Sequence, residues 1–349
     1  MDGAFDLTAG PPSDVPARHP LPGRIAIAVP ARNEQARLPR LLSALAAAAE
    51  FGSCPVSALV LANNCTDDTA RVARAFRHPA LAVETVETVF PPGQANAGRA
   101  RRLAMDLAWR ADALLMTTDG DATPAPGFVA AALRHVAQGA DLVCGTIGTD
   151  ARHVLATPSG ARIAAAEGAY GALVHEIRHC IDRMAGRQRA DGDRPHYTES
   201  GAAIAIRGDA YAAIGGLPPI ASSEDRALIH QAERHRLRIR YAPDMHAHVS
   251  ARLFGRARGG MAECLRRRMT DPDPLADQAM LPLSVLRRLW AQAVASQAPL
   301  FPDRAVCCGP RLHASDLERR LPGLKDFVER RVRPEFARWM NGAPAMAVA

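Results

Sequence analysis

The 349-residue sequence has almost no lysine and few aromatic residues. Lys325 is the only lysine, so arginine carries nearly all the positive charge behind the formal net charge of +7. A composition rich in arginine and alanine but poor in lysine is typical of GC-rich coding, which weakens the basic charge as an indication of nucleic acid. Aromatic residues make up 5% of the chain, too few for a base-stacking surface. The composition therefore argues against a nucleic-acid partner.

Long apolar runs and paired-cysteine motifs are also absent from the sequence. No run approaches the roughly 18 consecutive apolar residues that a membrane-spanning helix needs. Residues 1–22 combine aspartates with several prolines and have no basic segment before an apolar core, so we expect a loose tail rather than a signal peptide. The 7 cysteines include no CxxC, which favours reduced thiols in a cytoplasmic protein over disulfides or a zinc site.

Short apolar segments alternate with helical periodicities through the first half of the chain. This order predicts an α/β fold with a mostly parallel central sheet and helices on both faces. Such sheets bind ligands beyond the carboxyl ends of their strands, so the loops after the first, second and fourth strands are the expected site. The predicted strands are Arg24–Val29, Pro55–Leu61, Leu81–Val89, Ala113–Thr118 and Asp141–Ile147.

Three regions are predicted along the chain. Residues 1–22 form the tail, residues 23–255 the α/β domain, and residues 256–349 a helical, arginine-rich C-terminal region. That last region is expected to be a helical cap, a homodimer contact or an element that touches a membrane surface, and its composition does not choose among the three. We expect a cytoplasmic location, with peripheral membrane contact left open.

Asp119 and Asp121 form the sharpest chemical motif. They flank Gly120 directly after an apolar strand. Because glycine lets the backbone turn tightly, the two carboxylates can converge on one hard divalent cation, Mg²⁺ or Mn²⁺. Two carboxylates leave most of the coordination shell to waters and phosphate oxygens, which indicates a substrate with a diphosphate. A plain Asp-Gly-Asp surface turn is the alternative.

Two more polar loops are predicted at the same edge of the sheet. The first strand is followed by Pro30–Glu34 and the second by Asn63–Thr69, and neither loop is glycine-rich. The sequence contains no GxGxxG and no GxxxxGK[ST], which disfavours a dinucleotide-binding fold and a P-loop. Side chains of these loops can hold a base and ribose, although helix caps and turns would explain the same residues.

In this combination the sequence resembles GT-A-type nucleotide-sugar glycosyltransferases, most of all those of family 2. Each motif alone is weak, but their order and spacing over residues 24–261 are typical of the superfamily, though not of one sugar. The resemblance implies the GT-A fold for this part of the chain. The matching segments are Val29–Glu34 (VPARNE), Asn63–Thr69 (NNCTDDT), Gly98–Ala108 (GRARRLAMDLA), Thr117–Phe128 (TTDGDATPAPGF), Ser200–Gly216 (SGAAIAIRGDAYAAIGG) and Ser222–Leu228 (SSEDRAL).

The resemblance implies roles for individual residues on the donor side. Asn63 stands where many family members have aspartate; since an amide both accepts and donates hydrogen bonds, the donor stays open between UDP- and GDP-linked sugars. Some GT-A relatives take a further metal ligand from the region of His246 and His248, which alternation places on one strand face. The implied donor-binding residues are Pro30, Arg32, Glu34, Asn63, Gly98, Arg99 and Asp119, and the implied metal ligands are Asp119, Asp121 and His248.

Glu224 and Asp225 begin a predicted helix after Ser222 and Ser223, either of which can cap it. The helix dipole alone also favours acidic residues at this position. A sugar or alcohol hydroxyl is a poor nucleophile until its proton is removed during the attack. The resemblance implies that Asp225 is the general base of an inverting transfer, and that Glu224 orients it or holds the acceptor.

Two segments are candidates for covering the site. The basic, glycine-rich stretch 252–260 is expected to close over the donor diphosphate, to rest on an anionic membrane or to be a solvated loop. Residues 185–195 are a candidate lid over the acceptor side, with a plain surface loop as the alternative.

Together these residues predict a metal-dependent glycosyltransferase that moves a sugar from a nucleotide-diphosphate donor to a hydroxyl acceptor of unknown identity. A nucleotidylyltransferase is one alternative, but the glycine-rich loop that it needs after the first strand is missing. A non-catalytic nucleotide-binding protein is another. It leaves the paired acids without a purpose, because acidic groups without a metal repel a polyanion.

Overall fold

The computed structural model describes residues 20–188, 194–255, 260–303 and 309–342 of the chain. Its strands form a single 8-stranded sheet with the order β3-β2-β1-β4-β7-β6-β8-β5. The strands are β1 (Arg24–Ala31), β2 (Val56–Asn63), β3 (Ala82–Thr88), β4 (Ala113–Thr117), β5 (Thr123–Pro124), β6 (Leu142–Thr149), β7 (Ile204–Arg207) and β8 (Ile239–Val249).

Helices connect the strands and make up the described C-terminal part. A π-helical turn at Val328–Val332 joins the last two of them. The helices are α1 (Leu38–Glu50), α2 (Thr69–Ala75), α3 (Ala97–Ala108), α4 (Phe128–Ala137), α5 (Arg152–Leu155), α6 (Pro158–Met184), α7 (Gly208–Ala213), α8 (Glu224–Arg234), α9 (Met261–Thr270), α10 (Leu283–Val294), α11 (Ala314–Phe327) and α12 (Arg333–Met340).

The predicted mostly parallel α/β sheet is confirmed. β1 pairs in parallel with β2 and β4, β2 with β3, and β6 with β8. β7 runs antiparallel between β4 and β6, and the two-residue β5 runs antiparallel to β8. The carboxyl ends of β1, β2 and β4 therefore lie side by side, which brings together the loops that follow them.

Both faces of the sheet are covered, which explains why its central strands are apolar throughout. Ile25 and Ile27 of β1 belong to the apolar cluster that contains α1 and α4. Ala26 and Ala28 alternate to the other face and pack in the cluster with α3, α7 and α8. Successive side chains of a strand point to opposite faces. When both faces of the sheet are covered, all of these side chains are buried and the strand is apolar along its whole length.

A third apolar cluster joins α6 to the C-terminal helices α10 and α11. Tyr170 of α6 is fully buried there, and its hydroxyl donates to the carbonyl oxygen of Leu281 at 2.9 Å. The predicted boundary at residue 255, between the α/β domain and the C-terminal region, stays a prediction. Helix α6 precedes residue 255 in the sequence, but it packs against helices that follow it. Within the described residues, no helix is both long and apolar enough to cross a membrane.

A buried ionic network ties α6 to the sheet domain. The fully buried guanidinium of Arg178 lies 2.9 Å from Glu199 Oε1 and 2.7 Å from Glu233 Oε1, and its Nε lies 3.7 Å from Asp182 Oδ2. The Tyr241 hydroxyl donates to the same Glu199 oxygen at 3.0 Å. One cation thus holds α6, α8, β8 and the segment before β7 together, and its removal would leave buried carboxylates unpaired.

Replacing Arg178 by methionine is therefore expected to lower the free energy of unfolding by about 3–5 kcal/mol, because the buried carboxylates lose their positive partner. Urea denaturation followed by circular dichroism measures the loss. Arg162→Met is the control on the same helix, since Arg162 pairs with Glu318 at the surface and its removal should cost far less. Equal losses for the two variants would contradict the role given to the network.

Candidate active site

The Asp119–Asp121 turn lies directly against the loop that follows β1. A Cβ atom built on Gly120 would be 3.1 Å from the Pro30 carbonyl oxygen and 3.3 Å from both Ala31 Cβ and Glu34 Cγ. An added Cβ would therefore be in tighter contact than side chains usually make, and these atoms would have to shift by a few tenths of an ångström. Glycine permits this close approach, which brings Glu34 beside the two aspartates.

Arg101 of α3 joins the aspartate turn to the start of α8. Its Nη2 donates to Asp119 Oδ1 at 2.6 Å, and its Nε donates to Glu224 Oε1 at 2.9 Å. Its Nη1 donates to Thr117 Oγ1 at 2.8 Å and to the Gly201 carbonyl oxygen at 2.9 Å. The guanidinium therefore lies between the two pairs of acids that the sequence singled out.

Arg252 binds the other side of the acidic group. Its guanidinium makes a two-point contact with Glu34, at 2.7 and 3.1 Å, and lies 3.3 Å from Asp121 Oδ2. The pKa of Asp121 is raised to about 6; burial is the main cause, Asp119 and Glu34 add to the increase, and Arg252 opposes it. Five carboxylates thus share this part of the cleft with Arg101, Arg252 and the more exposed Arg37. The five acids are Glu34, Asp119, Asp121, Glu224 and Asp225.

A hard divalent cation suits the donor atoms on the aspartate turn. Carboxylate oxygens are its preferred ligands, and Asp119, Asp121 and Glu34 lie within electrostatic reach of one another here. The Thr118 hydroxyl beside the turn is buried and has no hydrogen-bond partner in the described part of the chain. Among the same residues, no group of three or more His, Cys, Asp or Glu side chains is arranged to hold a metal. Asp119 and Asp121 can hold a cation only together with oxygens from elsewhere.

Asp225 is held by backbone groups, unlike its neighbour Glu224. Its Oδ2 accepts from the Gly201 N–H and its Oδ1 from the Arg226 N–H, both at 2.9 Å. Burial raises the pKa of Asp225, and the neighbouring charge of Glu224 adds to the increase. A carboxylate with a raised pKa is a stronger base than an ordinary aspartate.

The loops at this edge are cross-linked and conformationally strained. Asn33 Oδ1 accepts from the Thr66 N–H at 2.7 Å, which ties the loop after β1 to the loop after β2. Asn33, Asn64 and Ser223 have φ values of 53°, 48° and 60°, in the left-handed region. Non-glycine residues in this region cluster at functional sites, where packing holds them. Ser223 occupies the N-cap of α8 in this conformation, and its side chain does not make the capping bond that the sequence predicted.

Residues 22–268 match the sequence model of the family described as Glycosyltransferase like family 2. The chain belongs to this family. The match confirms the predicted enzyme class and, with the sheet described above, the predicted GT-A fold. No curated protein matches the chain at a significant level.

Several solved glycosyltransferase structures are similar to this family 2 chain. Staphylococcus aureus TarS 1–349 in complex with UDP-GlcNAc has 14% identity and a TM-score of 0.47, covering 92% of each chain. Mannosyltransferase PcManGT from Pyrobaculum calidifontis, in complex with GDP-Man and Mn²⁺, has 17% identity and a TM-score of 0.47, covering 94% of this chain and 86% of that one. Glucosyl-3-phosphoglycerate synthase from Mycobacterium tuberculosis has 19% identity and a TM-score of 0.42, covering 75% and 80%.

Several of the residues predicted for donor binding lie on the wall formed by the first two loops. Pro30 and Arg32 are half-buried at its rim. Asn63 is 4% exposed, and its side chain forms no hydrogen bond within the described residues. Glu34 is equally buried, but its carboxylate is held by Arg252. Arg32 and Asn63 thus keep polar groups available to a ligand, whereas Glu34 would first have to part from its arginine.

Gly98 and Arg99 of α3 lie in different surroundings, and their donor-binding roles stay predictions. Gly98 is buried, and a Cβ built on it would lie 1.9 Å from the Ile220 carbonyl oxygen, so it packs beneath the loop before α8. Arg99 is exposed, donates to the Gln94 side chain and lies over the Phe90 ring. A Cβ built on Gly98 would lie 3.3 Å from Glu224 Cβ, but the α3 side chain that binds the acids is that of Arg101.

His248 is also not brought into one ligand set with the aspartates. It lies with His246 on the less buried face of β8, as alternation predicted, and both imidazoles flank Gly148. The His246 ring bonds the Thr146 hydroxyl at 2.9 Å. The structure therefore gives no support to His248 as a metal ligand. Residues 256–259 and 189–193, parts of the two predicted covering segments, lie outside the described residues.

Sequence reasoning did not identify Arg101 as a residue of the site, nor the ion pair between Arg252 and Glu34. A signal for Arg101 was present: Gly98, Arg101 and Met105 lie three and four residues apart on the buried stripe of α3. A lone arginine on the buried face of a helix needs anionic partners. No comparable periodicity marks Arg252, since it follows the end of β8.

Gly98→Ala is expected to lower the free energy of unfolding by about 1–3 kcal/mol and to displace the loop before α8, because the added methyl overlaps the Ile220 carbonyl. Gly168→Ala in α6 is the matched control. Nothing lies within 4 Å of its added Cβ, so it should stabilise by up to about 1 kcal/mol through helix propensity. Chemical denaturation compares the two; a stabilising Gly98→Ala would refute the close contact.

Proposed function

We propose that this family 2 protein transfers a sugar from a nucleoside-diphosphate donor to a hydroxyl acceptor, with a divalent cation at Asp119 and Asp121 and inversion at the sugar. One observation carries the proposal. Asp119 on the turn after β4 and Glu224 at the start of α8 bind the same buried arginine, so the proposed cation-binding turn and the helix end that carries the proposed base lie side by side.

The donor is proposed to bind along the wall formed by the loops after β1 and β2. The Asn63 amide at the end of β2 forms no hydrogen bond within the part of the chain that the structure describes, which supports a role in binding the base. The Arg32 guanidinium forms no ion pair within the described residues and is suited to an anionic ligand. The donor remains open between UDP- and GDP-linked sugars, because an amide can serve either base.

A cation bound by Asp119 and Asp121 would stabilise the negative charge that develops on the departing nucleoside diphosphate. Asp225 is the proposed general base, which takes the proton from the acceptor hydroxyl during its attack on the anomeric carbon. Each of its oxygens accepts one backbone N–H, which leaves a lone pair for that proton. Glu224 is held by Arg101 and therefore serves to orient the site rather than to accept the proton.

The cation is tested by thermal unfolding with a nucleoside diphosphate, UDP or GDP, with and without Mn²⁺. Mn²⁺ should add stability to the wild type, by about 2.7 kcal/mol when the free ligand is at a hundred times its Kd. Asp121→Asn should lose most of this gain, because it removes a charged oxygen ligand.

Asp112→Asn, which changes an exposed partner of Arg24, should keep the gain. An Asp121→Asn protein that Mn²⁺ stabilises as much as the wild type would remove the cation from this turn.

Asp225→Asn is expected to leave donor binding intact and to lower kcat by a factor of about 10² or more, because the acceptor proton then has no base. In the wild type, kcat/KM should fall as the pH falls through the pKa of Asp225, at a midpoint above the ordinary value of 3.8 because that pKa is raised.

The control for this experiment is Asp209→Asn, a change in an exposed ion pair with Arg207, and it should retain both kcat and the pH profile. If Asp225→Asn kept wild-type turnover, another group would be the base.

A further inference from the structure

Arg101 is the most completely bound side chain of the cleft. It is 8% exposed, and its Nε and both Nη atoms donate hydrogen bonds to groups of four separate segments. Its partners are Asp119 and Thr117 around the end of β4, Gly201 before β7, and Glu224 at the start of α8. Burial opposes its charge, but Asp119 and Glu224 raise the pKa of the guanidinium above its usual value, so it stays protonated.

The two carboxylates on Arg101 belong to opposite sides of the proposed reaction. Asp119 belongs to the cation and donor side, and Glu224 adjoins the proposed base on the acceptor side. Because the guanidinium is planar and rigid, its Nε and Nη2 contacts of 2.9 and 2.6 Å fix both carboxylates relative to one plane. A lysine ammonium has no such fork and cannot reproduce both directions.

Gly201 extends this control to Asp225 itself. Its carbonyl oxygen accepts from Arg101 Nη1, and its N–H donates to Asp225 Oδ2. The two peptide groups that meet at the Gly201 Cα thus bind Arg101 on one side and the proposed base on the other. A Cβ built on Gly201 would lie 2.3 Å from Arg101 Cζ, so the lack of a side chain at residue 201 is what lets the guanidinium reach its place.

We propose that Arg101 is a positioning residue for sugar transfer: it holds Asp119 on the donor side and Glu224 and Asp225 on the acceptor side in one fixed arrangement. This inference rests on the proposed function. A displacement of about 1 Å at reacting groups can cost on the order of 10²-fold in rate, so the arrangement matters for kcat as well as for folding.

Two variants disturb the arrangement in different ways. Arg101→Lys keeps the positive charge but loses the fork. Gly201→Ala keeps the guanidinium itself and forces it to move, because of the 2.3 Å overlap. Arg102→Lys is the matched control: the neighbouring arginine donates to the Leu217 carbonyl oxygen and pairs with Asp106 outside the acidic group.

The measurements are kcat at saturating donor and acceptor, and the Kd of UDP or GDP with Mn²⁺ by calorimetry. Arg101→Lys and Gly201→Ala should each lower kcat by about 10²-fold and weaken nucleotide binding by a smaller factor, on the order of 5-fold, since Asp121 still binds the cation. Arg102→Lys should change neither. Thermal unfolding confirms that each variant is folded, so a purely structural role would show as lower stability with wild-type kcat.

Wild-type kcat and Kd in folded Arg101→Lys or Gly201→Ala would overturn the positioning role while leaving the transferase function standing. A wild-type protein that binds nucleotide but transfers sugar from no donor would instead overturn the function. In that case the nucleotide-binding measurement still tests whether Arg101 positions Asp119. Unchanged Kd values in Arg101→Lys and Gly201→Ala would refute this positioning role.

Discussion

The site depends on one electrostatic constraint, the collection of five carboxylates at the carboxyl edge of the sheet. Charges in a partly buried cleft repel one another strongly unless cations compensate them. Arg101 and Arg252 supply fixed positive charge from two sides, while burial and the charges of Asp119 and Glu34 raise the pKa of Asp121. A cleft in this condition is suited to a divalent cation and to the phosphates that accompany it.

The rest of the fold keeps these charges in place. The doubly covered sheet sets the ends of β1, β2 and β4 side by side, and Gly120 lets the aspartate turn approach the loop after β1. Behind the acceptor side, Arg178 anchors Glu199, two residues before the Gly201 N–H that binds Asp225. Arg178 and Arg101 thus bind Glu199 and Gly201 of one segment. The position of the proposed base therefore depends on contacts from both α3 and α6.

The parts that the sequence predicts well are local ones. Apolar runs show where β1, β2 and β4 end, and so where the aspartate turn and its neighbouring loops meet. Glu224, which binds Arg101, and Glu34, which binds Arg252, each lie more than a hundred residues from their arginine in the chain, and no local pattern specifies such contacts. Alternation correctly placed His246 and His248 on one face, but a shared face does not set the distance to Asp121. The packing of Gly98 under the loop before α8 is likewise not predictable, because contact with a distant loop leaves no pattern in its own segment.

The most direct test of the central claim is a crystal structure with Mn²⁺ and a nucleoside diphosphate, with the metal located by anomalous scattering. The account predicts a manganese peak bound by Asp121 and Asp119 and by phosphate oxygens, with Arg101 still joining Asp119 to Glu224. A bound nucleotide without manganese at the turn, and with Arg252 still against Glu34 and Asp121, would contradict it.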